Sequence, residues 1–169
     1  MFLMKWIAAV LLVLTSESLS AGIEPGVPVA SVPCEAEPQK SYALYLPSAY
    51  DPEREWPLIL AFDPSGNGLR PVEIFEAAAE RHGYIVAGSN DSRNYTSWEF
   101  ELAAAAAVWR DVAGRFSIDS KRVYTAGFSG GARMATEVAL RTGAIAGVFV
   151  IGGSFREREI GRASCRERV

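Results

Sequence analysis

A serine enclosed by glycines is the group in this sequence best suited to covalent chemistry. Residues 127–131 read Gly-Phe-Ser-Gly-Gly, with an apolar run at 123–126 before them and a helical pattern from Ala132 onward. A serine on a tight strand-to-helix turn has a strained backbone, so the positions around it must be very small. This context predicts that Ser129 is a nucleophile and that the amide of Gly130 faces the charge developing on a substrate oxygen. An ordinary strand–helix turn is the alternative.

Alternating strand and helix patterns surround this serine. Apolar runs predict strands at 58–62, 84–88, 123–126 and 147–151, a weaker alternation predicts an edge strand at 41–46, and helical spacing predicts helices at 71–82, 98–116 and 132–141. Continuous apolar runs are typical of strands that are covered on both faces of a parallel sheet. Right-handed crossovers then give an α/β fold, a three-layer α/β/α sandwich with a mostly parallel sheet. Its ligand site would lie beyond the carboxyl ends of the strands.

Two of the predicted helices have apolar spacing that indicates a buried face. In the first, the residues sharing one side are Ile74, Phe75, Ala78 and Ala79. Pro71 suits the first turn of this helix, and Gly83 follows its end. In the second, apolar residues recur every three or four positions, at Trp98, Leu102, Ala105, Trp109, Val112 and Phe116. This spacing predicts an amphipathic helix that packs on the sheet.

The amino-terminal segment has the pattern of a secretory signal peptide. Residues 1–21 combine Lys5, an apolar stretch at 6–14 and small residues before Ala21. The apolar stretch is shorter than the about 20 residues of a membrane-spanning helix, so we expect no stable membrane anchor. Cleavage near Ser20 or Ala21 would give a secreted or periplasmic protein. Residues 22–39 are rich in proline and glycine and are predicted to be a leader that crosses the surface before the first strand.

The carboxyl-terminal segment does not continue the pattern that precedes it. Residues 159–169 have neither a hydrophobic period nor turn chemistry, and their back-translation resembles read-through into a common sequencing adapter. We therefore interpret them as a non-native tail, the alternative being a basic solvated tail. This interpretation predicts that the genomic reading frame diverges at about residue 159 and continues.

Charge and composition exclude several classes of partner. Residues 21–158 carry 13 Lys and Arg against 17 Asp and Glu, a net charge of −4 with no basic cluster, which argues against nucleic-acid binding. A single histidine and one cysteine outside the suspected tail cannot form an ordinary metal site, and no phosphate or dinucleotide loop indicates a cofactor. Residues 40–158 are short for an alternating strand–helix domain, which often exceeds about 200 residues. We therefore expect them to be the N-terminal part of a domain.

The lone cysteine leaves two interpretations open. Cys34 is the only cysteine before the suspected tail, which contains Cys165. In an exported protein its disulfide partner could lie outside this sequence. The other interpretation is a free, buried thiol.

The serine segment also carries a family resemblance. Residues 124–135, Tyr-Thr-Ala-Gly-Phe-Ser-Gly-Gly-Ala-Arg-Met-Ala, resemble the nucleophile elbow of α/β-hydrolase-fold serine esterases, and most of all the secreted polyhydroxybutyrate depolymerase and feruloyl esterase-like branch. Residues 42–47 resemble the first strand of that group. The resemblance covers residues 40–153 and implies cleavage of carboxylic esters, in a small-molecule or polymeric substrate, through an acyl-serine intermediate. Prolyl-oligopeptidase-like peptidases share these elements, so a serine peptidase is an alternative interpretation. A non-catalytic hydrolase-like binding domain is a third interpretation.

The resemblance implies roles for residues in two turns. Ser129 would be the nucleophile and the amide of Gly130 one oxyanion donor, while a second donor would come from the loop after the 58–62 strand. Relatives usually carry His-Gly there, whereas this chain reads Asp-Pro-Ser-Gly-Asn-Gly at 63–68. Pro64 has no amide hydrogen, so Ser65 is the favoured donor and Asp63 the second choice. The alternative is an ordinary turn.

The resemblance also shows what this sequence lacks. In this fold an acid and then a histidine follow the serine on later strands. The only histidine, His82, precedes Ser129 and lies at a predicted helix end. Without a base, a serine hydroxyl is a poor nucleophile. We therefore expect the 169-residue chain to be inactive and a longer parent to be an esterase.

One polar segment is open to two interpretations. Residues 89–97 follow the carboxyl end of a predicted strand. Such a segment could line the substrate cleft, because ligands bind beyond the carboxyl ends of parallel strands. Its polar composition favours a simple connection between a strand and a helix.

Overall fold

A computed structural model describes residues 23–153, which form one sheet between two layers of helices. The strands are β1 (Val29–Pro33), β2 (Ser41–Tyr45), β3 (Trp56–Phe62), β4 (Ile85–Ser89), β5 (Ile118–Phe128) and β6 (Gly147–Ile151). Their order is β1-β2-β4-β3-β5-β6; β3 to β6 are parallel, and β1 and β2 pair antiparallel. The predicted α/β class and mostly parallel sheet are confirmed. The proposed signal peptide and tail lie outside the described residues.

Three helices connect these strands, close to where the sequence predicts them. They are α1 (Leu69–His82), α2 (Trp98–Arg115) and α3 (Gly130–Thr142). The Ser97 side chain caps the start of α2 by accepting a hydrogen bond from the Phe100 amide. Helix α1 ends at Gly83, whose φ of 69° is left-handed and whose amide donates to Ala79 O. None of the helices within residues 23–153 has the length and apolar character needed to cross a membrane.

The alternation of side chains along β3 separates two hydrophobic layers. Leu58, Leu60 and Phe62 belong to the cluster under α2 and α3, and Ile59 and Ala61 belong to the cluster under α1. Every residue of β3 is buried, which explains its continuous apolar run. Burying one such leucine stabilises the fold by about 1.5–3 kcal/mol. The sheet therefore lies between helices on both faces, as the three-layer prediction requires.

Two predictions near the amino terminus are wrong. Within the leader at 22–39, β1 pairs with β2, so residues 41–46 are not an edge strand. The sequence gives little sign of β1 because only Val32 of its five residues is buried and its register shifts between Val29 and Val32. A short, exposed edge strand with an irregularity lacks the apolar alternation by which strands are found in sequences.

The predicted buried faces of two helices also need correction. In α1 the buried residues are Pro71, Val72 and Ala79, and Ile74 is 66% exposed. Apolar residues occupy more than one side of this helix, so periodicity alone does not select the buried side. In α2, Trp98 and Trp109 are exposed. Alanines at 104, 105 and 107 pack instead, together with Val108 and Val112, because small side chains bring the helix close to the sheet.

Candidate active site

The chain makes a sharp turn at Ser129, between the end of β5 and the start of α3. Ser129 has φ 53° and ψ −114°, and among residues 23–153 the only other non-glycine residue with positive φ is Tyr95. Such a backbone costs about 1–3 kcal/mol and persists only where its surroundings enforce it. The Ser129 amide donates to Ile151 O at 2.9 Å, and its hydroxyl does not cap α3. Ser129 is half-buried, and its hydroxyl is not used to cap the helix.

Two glycines around this turn have no room for a side chain. A Cβ atom on Gly127 would lie under 3.0 Å from Gly131 O, and one on Gly131 would lie equally close to Phe62 O. Real Cβ atoms essentially never approach backbone so closely. The glycines therefore let the start of α3 pack against the end of β3. This contact brings the loop that follows β3 next to Ser129.

The loop at 63–68 is held together by the buried carboxylate of Asp63. Its Oδ1 accepts the Ser65 amide at 2.8 Å, and its backbone oxygen accepts the Gly66 amide at 3.1 Å. Arg70 Nη1 lies 4.0 Å from the other carboxylate oxygen. The Ser65 amide, the favoured second oxyanion donor, is thus already hydrogen bonded in this conformation. The Asp63 amide, the second choice, is the one that lies beside Gly131.

The loop at 90–97 also lies next to this turn. For the segment at 89–97, the sequence favours a simple polar connection over a lining of the substrate cleft. The Asn94 amide donates to Pro64 O at 2.9 Å, and an antiparallel bridge joins Arg93 to Ser65. The Asn94 side chain lies against Gly130, where a Cβ atom would be under 3.0 Å from Asn94 Oδ1. Residues that follow β3, β4 and β5 therefore meet beyond the carboxyl ends of these strands. No signal in the sequence indicates the contact between Asn94 and Gly130.

One carboxyl group beneath this loop has a shifted pKa. Burial raises the pKa of Glu101, in the first turn of α2, while a hydrogen bond from Thr96 and the positive charge of Arg133 oppose that effect. The Thr96 hydroxyl donates to Arg93 O at 2.7 Å and lies 3.2 Å from Glu101 Oε1. Glu101 therefore contacts the loop through Thr96.

An open groove borders the other side of the turn. Its volume is about 240 Å³, and it lies between α1 and the ends of β3, β5 and β6. Its lining is mainly apolar and includes Phe62, Asp63, Phe75, Phe128 and Ile151. Phe128 precedes the serine and is 48% exposed. A substrate at Ser129 thus has apolar surface next to it.

The single histidine lies far from this site. Helix α1 begins near the carboxyl end of β3, and its 14 residues at a rise of about 1.5 Å each put His82 about 20 Å further along. His82 is exposed and precedes the amino end of β4, whereas Ser129 follows the carboxyl end of β5. The two residues therefore lie at opposite ends of the parallel strands. Residues 23–153 therefore bring together a serine and backbone amides without a histidine. In the same range, no group of three or more histidine, cysteine or acidic residues is arranged to hold a metal ion.

Solved structures share the fold of this chain at low sequence identity. The chain superposes on a thermostable esterase with a TM-score of 0.61 and 18% identity, covering 80% of this chain and 43% of the other. For EstE1, a thermophilic carboxylesterase cloned from a metagenomic library, the TM-score is 0.58 and the identity 17%, with coverages of 79% and 49%. For LpqC, a poly(3-hydroxybutyrate) depolymerase from Bordetella parapertussis, the values are 0.53 and 16%, with coverages of 73% and 56%.

These likenesses establish the fold. The chain has the α/β-hydrolase fold, as the resemblance in its sequence predicts, and it spans about half the length of the solved structures it matches. No family model matches the chain, and no curated protein matches it.

Proposed function

We propose that this chain is the amino-terminal part of an exported serine hydrolase that cleaves carboxylic esters. The observation that carries the proposal is the strained turn at Ser129, between β5 and α3. Glycines around the turn allow the backbone segments to pack closely there. Strained non-glycine residues cluster at active sites. The structural neighbours named as esterases support the reaction type. Export rests on the signal-like pattern at 1–21.

In the proposed reaction, Ser129 Oγ attacks the carbonyl carbon of the ester and a histidine base takes the hydroxyl proton. The negative charge moves to the carbonyl oxygen, which accepts hydrogen bonds from the Gly130 amide and from one amide of the 63–65 loop. Collapse of this intermediate breaks the bond to the alcohol oxygen, which leaves with the proton. Water then hydrolyses the acyl-serine, which releases the carboxylic acid and restores the hydroxyl.

Two groups in this scheme lie outside the described residues. We propose that the histidine base and its acidic partner belong to a longer reading frame, of which residues 40–158 are a part and residues 159–169 are not. The position of His82 at the opposite end of the parallel strands supports this assignment. The 169-residue chain alone should then be inactive. Of the two candidate second donors, Ser65 would first have to release its bond to Asp63 Oδ1, so we favour the Asp63 amide, which lies beside Gly131.

The test uses the protein encoded by the complete reading frame. It should hydrolyse p-nitrophenyl acetate, and Ser129→Ala should reduce kcat/KM at least about 1000-fold because no nucleophile remains. Ser120→Ala is the matched control, because Ser120 is exposed near the amino end of β5 and should be replaceable without effect. A fluorophosphonate should label Ser129 in the unmodified protein.

Each alternative function has its own outcome in this experiment. Faster cleavage of peptide amides than of matched esters would favour a peptidase. Failure of the fluorophosphonate to label the intact, folded protein would favour a non-catalytic domain and end the proposal. Activity of the 169-residue chain that Ser129→Ala abolishes would contradict the assignment of the base to a later segment.

A further inference from the structure

Tyr95 has a backbone conformation that its side chain disfavours. Its φ is 67°, and Ser129 is the only other non-glycine residue between 23 and 153 with a positive value. Glycine and asparagine adopt this conformation at lower cost than tyrosine. The preceding residue is an asparagine, yet the tyrosine occupies the left-handed position. The cost is therefore accepted at a residue beside the proposed active site.

The loop holds this conformation without help from the tyrosine ring. The Asn94 amide is bonded to Pro64 O, Arg93 is bridged to Ser65, and the Thr96 hydroxyl donates to Arg93 O. The Tyr95 side chain is fully exposed, at 105%, so no described residue covers it. The ring contributes nothing to the packing of the described chain, although the backbone below it is fixed.

The position of the Tyr95 backbone relative to Ser129 follows from its neighbour. The Asn94 side chain lies against Gly130, the residue whose amide would bind the substrate oxygen. Tyr95 is the next residue along the chain, so its Cα lies about 3.8 Å from that of Asn94 and its backbone is close to the same site. Phe128 and Trp98 are also exposed aromatics near this site, and the Arg133 guanidinium lies 5.9 Å from the Trp98 ring. Of these rings, Phe128 directly precedes Ser129 and lines the groove beside it.

We infer that Tyr95 is a specificity-determining residue whose ring contacts a flat apolar group of the ester bound at Ser129. The inference rests on the proposed function. Contacts between aromatic rings contribute beyond simple burial, and their usual strength corresponds to a preference of about 2- to 12-fold. The fixed backbone holds the ring ready, so binding does not have to order it. Esters that carry a planar ring gain from this contact, and small aliphatic esters do not.

Three variants of the full reading-frame protein separate the ring from the backbone. Tyr95→Phe keeps the ring, Tyr95→Ala removes the ring but keeps a disfavoured backbone, and Tyr95→Gly removes both the ring and the strain. Each is assayed on p-nitrophenyl benzoate against p-nitrophenyl acetate, and on benzyl acetate against ethyl acetate. Within each pair only the acyl group or only the alcohol changes. Thermal unfolding of every variant checks that it is folded.

The expected result is specific to the ring. Tyr95→Ala and Tyr95→Gly should lower kcat/KM about 2- to 12-fold for the benzoate relative to the acetate of p-nitrophenol, or for benzyl acetate relative to ethyl acetate, while Tyr95→Phe matches the unmodified protein. An unchanged ratio in both pairs for Tyr95→Ala overturns the inference, as does a normal ratio in Tyr95→Gly or a loss in Tyr95→Phe. If the unmodified protein hydrolyses none of these esters, the proposed function fails first, and the inference fails with it.

Discussion

Close packing at single glycines joins the serine turn to the rest of the sheet. Gly131 lies where a side chain would meet Phe62 O, whereas no atom lies within 4 Å of the position that a Cβ on Gly114 would occupy. Both are helical residues, Gly131 at the start of α3 and Gly114 near the end of α2. The two therefore form a matched pair in which the same methyl group has opposite effects.

We expect Gly131→Ala to lower the free energy of unfolding by about 1–3 kcal/mol, because the backbone of α3 must move away from β3. Gly114→Ala should raise it by about 0.4–1 kcal/mol, because alanine loses less conformational entropy on folding. Urea unfolding of the two variants measures both effects. Equal stability of the two would show that the contact between α3 and β3 is looser than the structure indicates.

Burial also changes the acidity of single side chains. Cys34 is buried and has no disulfide partner among residues 23–153. Burial raises the pKa of its thiol from 9.0 to about 11, with the negative charge of Asp111 adding to the effect. Burial raises the pKa of Tyr42 as well. In both cases the folded state favours the neutral form.

The raised pKa predicts a loss of stability in alkali. Between about pH 9 and 11 the unfolded chain releases the Cys34 proton while the folded protein retains it, so the free energy of unfolding falls as pH rises. Cys34→Ala should make this decline shallower, and the Tyr42 contribution should remain in both proteins. Urea titrations at several pH values measure the slopes. Parallel slopes for the two proteins would contradict a protonated, buried thiol.

At the level of elements, one carboxylate fixes the amino-terminal segment to α2. Asp111, in α2, accepts the Tyr42 hydroxyl at 2.7 Å and the Glu35 amide at 2.6 Å, and its Oδ2 lies 2.9 Å from Arg115 Nε. Arg115 also donates to Pro33 O at 2.8 Å, at the end of β1. The edge strand that the sequence does not predict is thus held by partners that lie about 80 positions away along the chain.

Asp111→Ala should therefore destabilise the fold by about 3–5 kcal/mol. It leaves the buried Tyr42 hydroxyl without its acceptor and removes the nearer carboxylate from the largely buried Arg115, which keeps the more exposed Glu35 at 3.3 Å. Glu137→Ala is the matched control. It removes the carboxylate of an exposed i, i+4 pair with Arg141 and should cost about 0.5 kcal/mol or less. Chemical denaturation compares the two variants, and a similar small loss for both would mean that the Asp111 network adds little.

The elements that the sequence predicts correctly are those determined by residues close to them in the chain. The strands at 58–62 and 84–88 are continuous apolar runs, and the turn at Ser129 is marked by the glycines that it needs. Strand β1 depends on distant partners, and Ile74 lies on a helix with apolar residues on more than one side, so local patterns do not decide either. The conformation of Tyr95 and the contact between Asn94 and Gly130 arise where three loops pack together. These contacts join residues that are distant in the sequence, so the polar composition of one loop does not predict them.

On the scale of the whole molecule, the distribution of exposed apolar residues is uneven. Phe149 and Ile151 of β6 are 48% and 49% exposed, and Ile74 of α1 is 66% exposed on the same side of the sheet as the groove beside Phe128. Strand β6 is the last in the strand order of the described residues. Unpaired strand edges and contiguous apolar surface favour association with other chains. A longer reading frame, as proposed, would supply residues to cover this surface.

The 169-residue chain and the full reading-frame protein should therefore differ in solution. We expect the shorter chain to bind the dye ANS strongly and to elute as aggregates in size-exclusion chromatography, because the surface around β6 is open in it. The longer protein should bind little dye and unfold at a higher temperature. Replacing Phe149 and Ile151 by threonine in the shorter chain should reduce the dye signal and the aggregation, whereas the same changes in the longer protein should lower its stability by several kcal/mol through lost burial. A monomeric shorter chain without dye binding would mean that the β6 surface needs no cover, and it would remove the physical argument that a further part of the domain packs there.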